Sequence, residues 1–154
     1  MDEAQRQADK INAEAKIASD KVREEAKIAA DKVREEGKKA SEKAKSEARA
    51  EIQKQKDAGY AEADKLVAQA SNPIAKKVAE KAAQKLKEKT DTKIEGLNKN
   101  VDDKGNKIAA ESNKKAQQLE DQADLKAQKI EDEAKVKSDL IIENAQKKVD
   151  SKLK

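Results

Sequence analysis

The sequence predicts an all-α fold: a long antiparallel helical hairpin, a right-handed coiled coil on an 11-residue (hendecad) repeat, with its turn at Ser71–Pro73 and a tendency to oligomerise. Three observations lead there. Charged residues make up 44% of the 154, and the one aromatic residue is Tyr60. The bulky side chains that bury about 150–250 Å² each are therefore missing, and the composition is that of helices joined along a narrow seam. Apolar residues recur every 11 positions in both halves of the chain. The single proline, Pro73, stands almost at the midpoint. The expected organisation is one elongated domain over 1–154, with helix 1 at about 2–70, a turn at 71–73 and helix 2 at about 73–150.

In the first arm the repeat reads DKINAEAKIAS, DKVREEAKIAA, DKVREEGKKAS, EKAKSEARAEI from Asp9. Eleven residues over three turns is about 3.67 per turn, and a seam of that period winds a right-handed supercoil. Its apolar set is Ile11, Ala15, Ser19; Val22, Ala26, Ala30; Val33, Gly37, Ser41; Ala44, Ala48, Ile52. The phase persists through Gln55, Gly59, Ala63, Leu66 and Ala70. Lys and Glu fill the other positions and supply i,i+4 pairs.

Ser71-Asn72-Pro73 then interrupts the pattern. Proline is disfavoured inside a helix by about 3 kcal/mol but suits its first position, and Ser71 or Asn72 suits the N-cap. One helix should end near Ala70 and another begin near Pro73. In the second arm Ala75, Leu86, Leu97, Ile108, Leu119, Ile130 and Ile141 are spaced by eleven. Ala79, Thr90, Val101, Ser112, Ala123, Ala134 and Ala145 follow each by four. Gly96, Gly105 and the nearby asparagines have loop composition, yet the seam phase crosses them, so a continuous helix with room for a local bend is expected.

A fold-back at 72/73 gives facing residues whose numbers total about 145. That register sets Gly59 against Leu86, Gly37 against Ile108, Ala26 against Leu119 and Ala15 against Ile130, large against small, with Gln55 meeting Thr90. Large-to-small alternation interdigitates well. Each arm of about 70 residues would be about 105 Å long. Ala145, Val149 and Leu153 then overhang the N-terminus.

The composition narrows function more than it defines it. Lysines and arginines number 36 against 32 acids, finely interspersed, for a net charge of +4. A nucleic-acid binder gathers its basic residues on one face, so nucleic acid is not an expected partner. There is no cysteine or histidine, and no catalytic, cofactor-binding or metal-binding residue set emerges. The chain is read as a non-enzyme. Val101-Asp102-Asp103-Lys104-Gly105-Asn106 lacks the alternating ligands and closing Glu of a calcium loop. Tyr60 reads as an exposed ring near the tip. Ile17 and Ile28 form an apolar line beside the first seam; Leu125 and Val136 do so beside the second, with Leu140 and Ile142 nearby. These six residues are the candidate interaction face, for a second copy of the chain or another helical protein. A membrane surface is the weaker partner, because the amphipathic face is mostly alanine and has no Trp or Phe.

Residues 13–52, AEAKIASDKVREEAKIAADKVREEGKKASEKAKSEARAEI, resemble the dimerisation region of the bacterial ATP synthase b subunit, a right-handed 11-repeat stator stalk. This chain departs from it in having no membrane span and in turning back at Pro73. Its Ala/Lys/Glu 11-mers are also similar to group 3 late-embryogenesis-abundant proteins, which order on drying or binding. The stretch Asn72-Pro73-Ile74-Ala75-Lys76 resembles small helical envelope proteins of Gram-negative bacteria, which implies an envelope location if a signal segment precedes Met1. The expected function is a structural, scaffolding or spacer coiled coil acting through helix–helix association. The alternative is a protectant or lipid-surface helical protein.

Overall fold

The computed structural model describes residues 1–152, which form two helices, α1 (Asp2–Ala68) and α2 (Pro73–Lys152), packed against each other as an antiparallel hairpin. The turn is built as its residue types require. Asn72 is the N-cap: its side-chain Oδ1 accepts hydrogen bonds from the backbone N–H groups of Ile74 (3.1 Å) and Ala75 (2.8 Å). Its carbonyl accepts the first helical bond, from Lys76 N–H at 2.9 Å. Pro73 takes the first helical position, where no N–H is needed. The last bond of α1 tightens, with Ala70 N–H on the Val67 carbonyl at 3.2 Å. Chain reversal then uses Gln69–Asn72 without any positive-φ residue among those described. Helix α2 continues unbroken through Gly96–Gly105, as the seam phase predicts; the loop composition of that stretch is overridden by packing.

Contacts gather the hairpin into two compact units, each built from both helices. The terminal unit is Met1–Glu35 with Asn113–Lys154, and the turn unit is Glu36–Ser112. In each, the innermost line is a strict 11-residue series of mainly small residues. In the terminal unit it is Ala8, Ser19 and Ala30 on α1 with Ala116, Ala127 and Ser138 on α2, all buried. In the turn unit it is Ser41, Ile52 and Ala63 with Ala83, Ile94 and Gly105. Ser41 Oγ donates to the Gly105 carbonyl across the seam at 2.7 Å, a backbone contact possible only where two helices approach closely.

These contacts correct the register expected from a tight reversal. Gly37 lies under Ser112 and Gly59 under Thr90, where a total of 145 had placed Ile108 and Leu86. Each helix thus meets its partner about one turn away from the expected pairing. The reversal consumes four residues, and the line of closest approach in α2 is the series Ala83–Ser138, not the Leu/Ile series three residues after it. The seam is consequently small against small at its centre. The large aliphatics flank it half-buried, with Leu66 and Leu119 the most open at 40% and 37% exposure. The overhang also begins later: Ala145 is half-buried and Val149 is 37% exposed, while Leu153 lies outside the described residues.

The glycines divide by what surrounds them. A Cβ at Gly37 would collide with the Ser112 side chain, whereas a Cβ at Gly96 would meet nothing within 4 Å. Glycine inside a helix costs roughly 0.5–1 kcal/mol relative to alanine. Gly96→Ala should therefore raise unfolding free energy by about 0.5–1 kcal/mol in urea titrations, while Gly37→Ala lowers it by about 1–3 kcal/mol through overpacking. Equal effects at the two sites would contradict the register.

Candidate functional site

At 11 residues per three turns, each residue advances about 98° round its helix. Rows on the helix surface can therefore be placed by their offset from the buried line. The rows four and eight residues after it lie about 33° and 65° to one side on both helices, and in an antiparallel pair these fall on the same edge of the seam. The row three residues after it lies about 65° to the other side and defines the opposite edge. The two edges are chemically unlike.

The first edge is a polar ladder. In the terminal unit the Arg34 guanidinium forms two parallel bonds to the Glu120 carboxylate, 2.9 and 2.7 Å. Arg23 spans Asp124 (3.2 Å) and Glu131 (2.8 Å), and Ser19 Oγ donates to Glu131 at 2.6 Å. Paired forks of this kind are directional as well as attractive. In the turn unit Lys45 lays its stem over Gly105 and reaches Asn106 Oδ1 at 2.9 Å. Arg49 pairs with Asp102, Lys56 with Asp91 (3.1 Å) and Lys87 with Asp64 (2.7 Å). Tyr60 is not the exposed ring the sequence suggested. It is half-buried, its hydroxyl donates to the Asp91 carboxylate at 2.8 Å, and Lys56 and Lys87 sit 5.2 and 5.3 Å from its ring centroid. Its partner rows on α2 fall outside any motif, so no short-range signal marks them.

The ladder shifts the groups that compose it. The Tyr60 hydroxyl, then Lys56, holds the Asp91 carboxyl below its ordinary range. Arg34 does the same to Glu120, and the Ser19 hydroxyl with Arg23 to Glu131. In return the Asp91 carboxylate raises both Tyr60 and Lys56. Residues 101–106, with Asp102 and Asp103, are helical, and Asp102 serves the ladder. Among the described residues no acidic cluster could hold a metal, and no helix is long and apolar enough to cross a membrane.

The second edge is aliphatic. In the terminal unit Ile11, Val22 and Val33 flank the seam on α1 and Leu119, Ile130 and Ile141 on α2. In the turn unit Ala44, Gln55 and Leu66 stand beside Leu86, Leu97 and Ile108. A groove of about 400 Å³ opens on this edge of the turn unit, between Ala44, Ala48 and Ile52 of α1 and Leu97, Val101 and Ile108 of α2.

The six residues expected to form an interaction face are not brought together. Ile17, Ile28, Leu125 and Val136 each sit two positions before the buried line, about 196° round the helix from it. They lie on the backs of α1 and α2, which point away from each other, and are 69%, 62%, 74% and 60% exposed. Leu140 joins the α2 back. Ile142 instead sits four after Ser138 and is half-buried beside the seam. The aliphatic edge was legible as the second-arm Leu/Ile series, but that series reads as the core until the smaller residues beneath it are recognised. No protein-family model matches the chain, and no curated protein or solved structure matches it.

The shifted groups set a pH profile. Carboxyls depressed in the folded state contribute above their unfolded pKa and lose that contribution as pH falls through the folded value; a tyrosine or lysine raised by folding loses its contribution as pH rises. With no histidine or cysteine, the melting temperature should be flat from about pH 5 to 9. It should fall below about pH 4 as Asp91, Glu120 and Glu131 protonate, and again above about pH 10. Melts followed by circular dichroism across pH check this, and a transition centred near pH 6.5 would contradict it.

Proposed function

We propose that this is a non-enzymatic structural protein, a hairpin spacer or scaffold that works through helix–helix association. The observation that supports the reading is the inequality of the two edges. One is closed by charge pairs between the helices, whereas the other leaves its leucines, isoleucines and valines only partly buried, with a groove beside them in the turn unit. Burying such a side chain fully is worth about 1.5–3 kcal/mol, and that stabilisation is only partly realised by the hairpin alone. A further helical surface, from another copy or another helical protein, would complete it. The resemblance of residues 13–52 to a stator-stalk dimerisation region points the same way.

One observation favours a second reading. On α2, lysines border the aliphatic row, as in helices that lie on an anionic lipid surface. The two readings, and the protectant alternative, differ in what the isolated chain does. A structural hairpin is strongly helical in dilute buffer and melts cooperatively, with no gain in helix on adding vesicles or on drying. Circular dichroism under these three conditions tests the proposal, and helix that appears only with lipid or on drying would overturn it.

A further inference from the structure

The aliphatic edge is bordered by charge of opposite sign on its two sides. On α2 the row one residue before the buried line is Lys93 and Lys104 in the turn unit, and Lys115, Lys126 and Lys137 in the terminal unit. All five are exposed, and among the described residues none makes an ion pair. On α1 the border is acidic. In the turn unit Glu51 and Glu62 hold the same offset, one residue before the buried line, with Glu47 further round the helix, and both Glu51 and Lys104 line the groove. In the terminal unit the row one residue before the buried line is uncharged (Gln7, Ala18, Ala29), and the acidic row is Glu3, Glu14 and Glu25, five residues before the buried line and about 131° round the helix on the same side. Glu14 and Glu25 make only long, exposed contacts to Lys10 and Lys21, 3.8 Å each, which are worth little.

We propose that this edge seats a second copy of the chain, related by a two-fold axis parallel to the helices, so that α1 of each copy lies over α2 of the other. The inference rests on the helix-association reading and names its partner. An axis in that direction sets the acidic α1 border of one copy against the lysine border of the other, twice over, while the aliphatic rows close on each other. It is the self-complementarity that a two-fold interface needs. The alternative axis, across the helices, stacks α1 on α1 and α2 on α2 and opposes like charges along both borders. An anionic lipid surface would attract the lysine border and repel the glutamate border, so it satisfies half of the edge. A second copy presents an acidic side to the lysines and a basic side to the glutamates.

The test is a charge swap on exposed residues of the terminal unit. One variant carries Lys115→Glu, Lys126→Glu and Lys137→Glu; the other carries Glu14→Lys and Glu25→Lys. Sedimentation equilibrium at low salt should show the native chain as a dimer of its 16.9 kDa protomer. Each variant alone should dimerise at least about tenfold more weakly, because like charges then face each other on both borders. An equimolar mixture of the two variants should recover native affinity, since opposite charges meet again. Circular dichroism on each variant confirms that helicity is retained, and recovery in the mixture cannot come from misfolded chains. A native chain that is helical but monomeric, or variants that dimerise as well as the native chain, would overturn this inference and leave the structural reading standing. A chain that is not helical in buffer would overturn that reading itself. Flotation of a monomeric chain with phosphatidylglycerol vesicles would assign the edge to lipid and overturn the second-copy proposal.

Discussion

The hairpin depends on how closely its two helices can approach. Along the innermost line nearly every residue is alanine, serine or glycine, and Ser41 reaches the Gly105 backbone itself. Side chains of this size contribute little hydrophobic area, so the seam does not stabilise the pair by volume. What it does is bring the flanking rows within reach of each other. The charged ladder and the aliphatic rows both exist because the backbones are near enough for an arginine on one helix to grasp a carboxylate on the other, and for leucines to shield each other from the side. A larger residue on the central line would separate the helices and loosen both edges at once.

The two edges then divide the work. Polar pairs such as Arg34–Glu120 and Tyr60–Asp91 are partly exposed, so each is a modest contributor to stability. Their geometry is what matters. Paired forks and shared carboxylates are satisfied in one register and broken in its neighbours, whereas aliphatic rows slide with little penalty. The ladder reinforces the register that the small residues set, and the aliphatic edge stays only partly buried.

Much of the fold was legible because apolar residues recur at one spacing in both halves of the sequence. The 11-residue recurrence identified both helices, and Asn72-Pro73 marked the boundary between them by local chemistry that tertiary packing had no reason to override. Gly96 and Gly105 were read correctly as helical only because the seam phase outweighed their composition. The register was missed by one turn for a physical reason. A search for large residues finds Leu86–Ile141, but closest approach selects the smallest side chains, and the series Ala83, Ile94, Gly105, Ala116, Ala127, Ser138 has only one bulky member to draw attention. The same preference set the candidate interaction face beside the seam. Ile17, Ile28, Leu125 and Val136 are conspicuous in the sequence, yet an offset of two residues from the buried line turns a helical side chain to the far side. Tyr60 was read as solvent-exposed because its partner, Asp91, is supplied by the other helix, 31 positions away.

The claim that small residues set the register is tested most directly where Gly59 lies under Thr90. A Cβ at Gly59 would stand 2.7 and 2.8 Å from Thr90 Oγ1 and Cγ2, but 3.4 Å from its Cβ. Gly59→Ala should therefore destabilise the native chain by about 1–3 kcal/mol. In a Thr90→Ala background, which removes both close atoms, the same substitution should stabilise by about 0.5–1 kcal/mol through helix propensity. A reversal of sign in this double-mutant cycle, measured by urea unfolding, is the result the account predicts. The same change in stability in both backgrounds would contradict it.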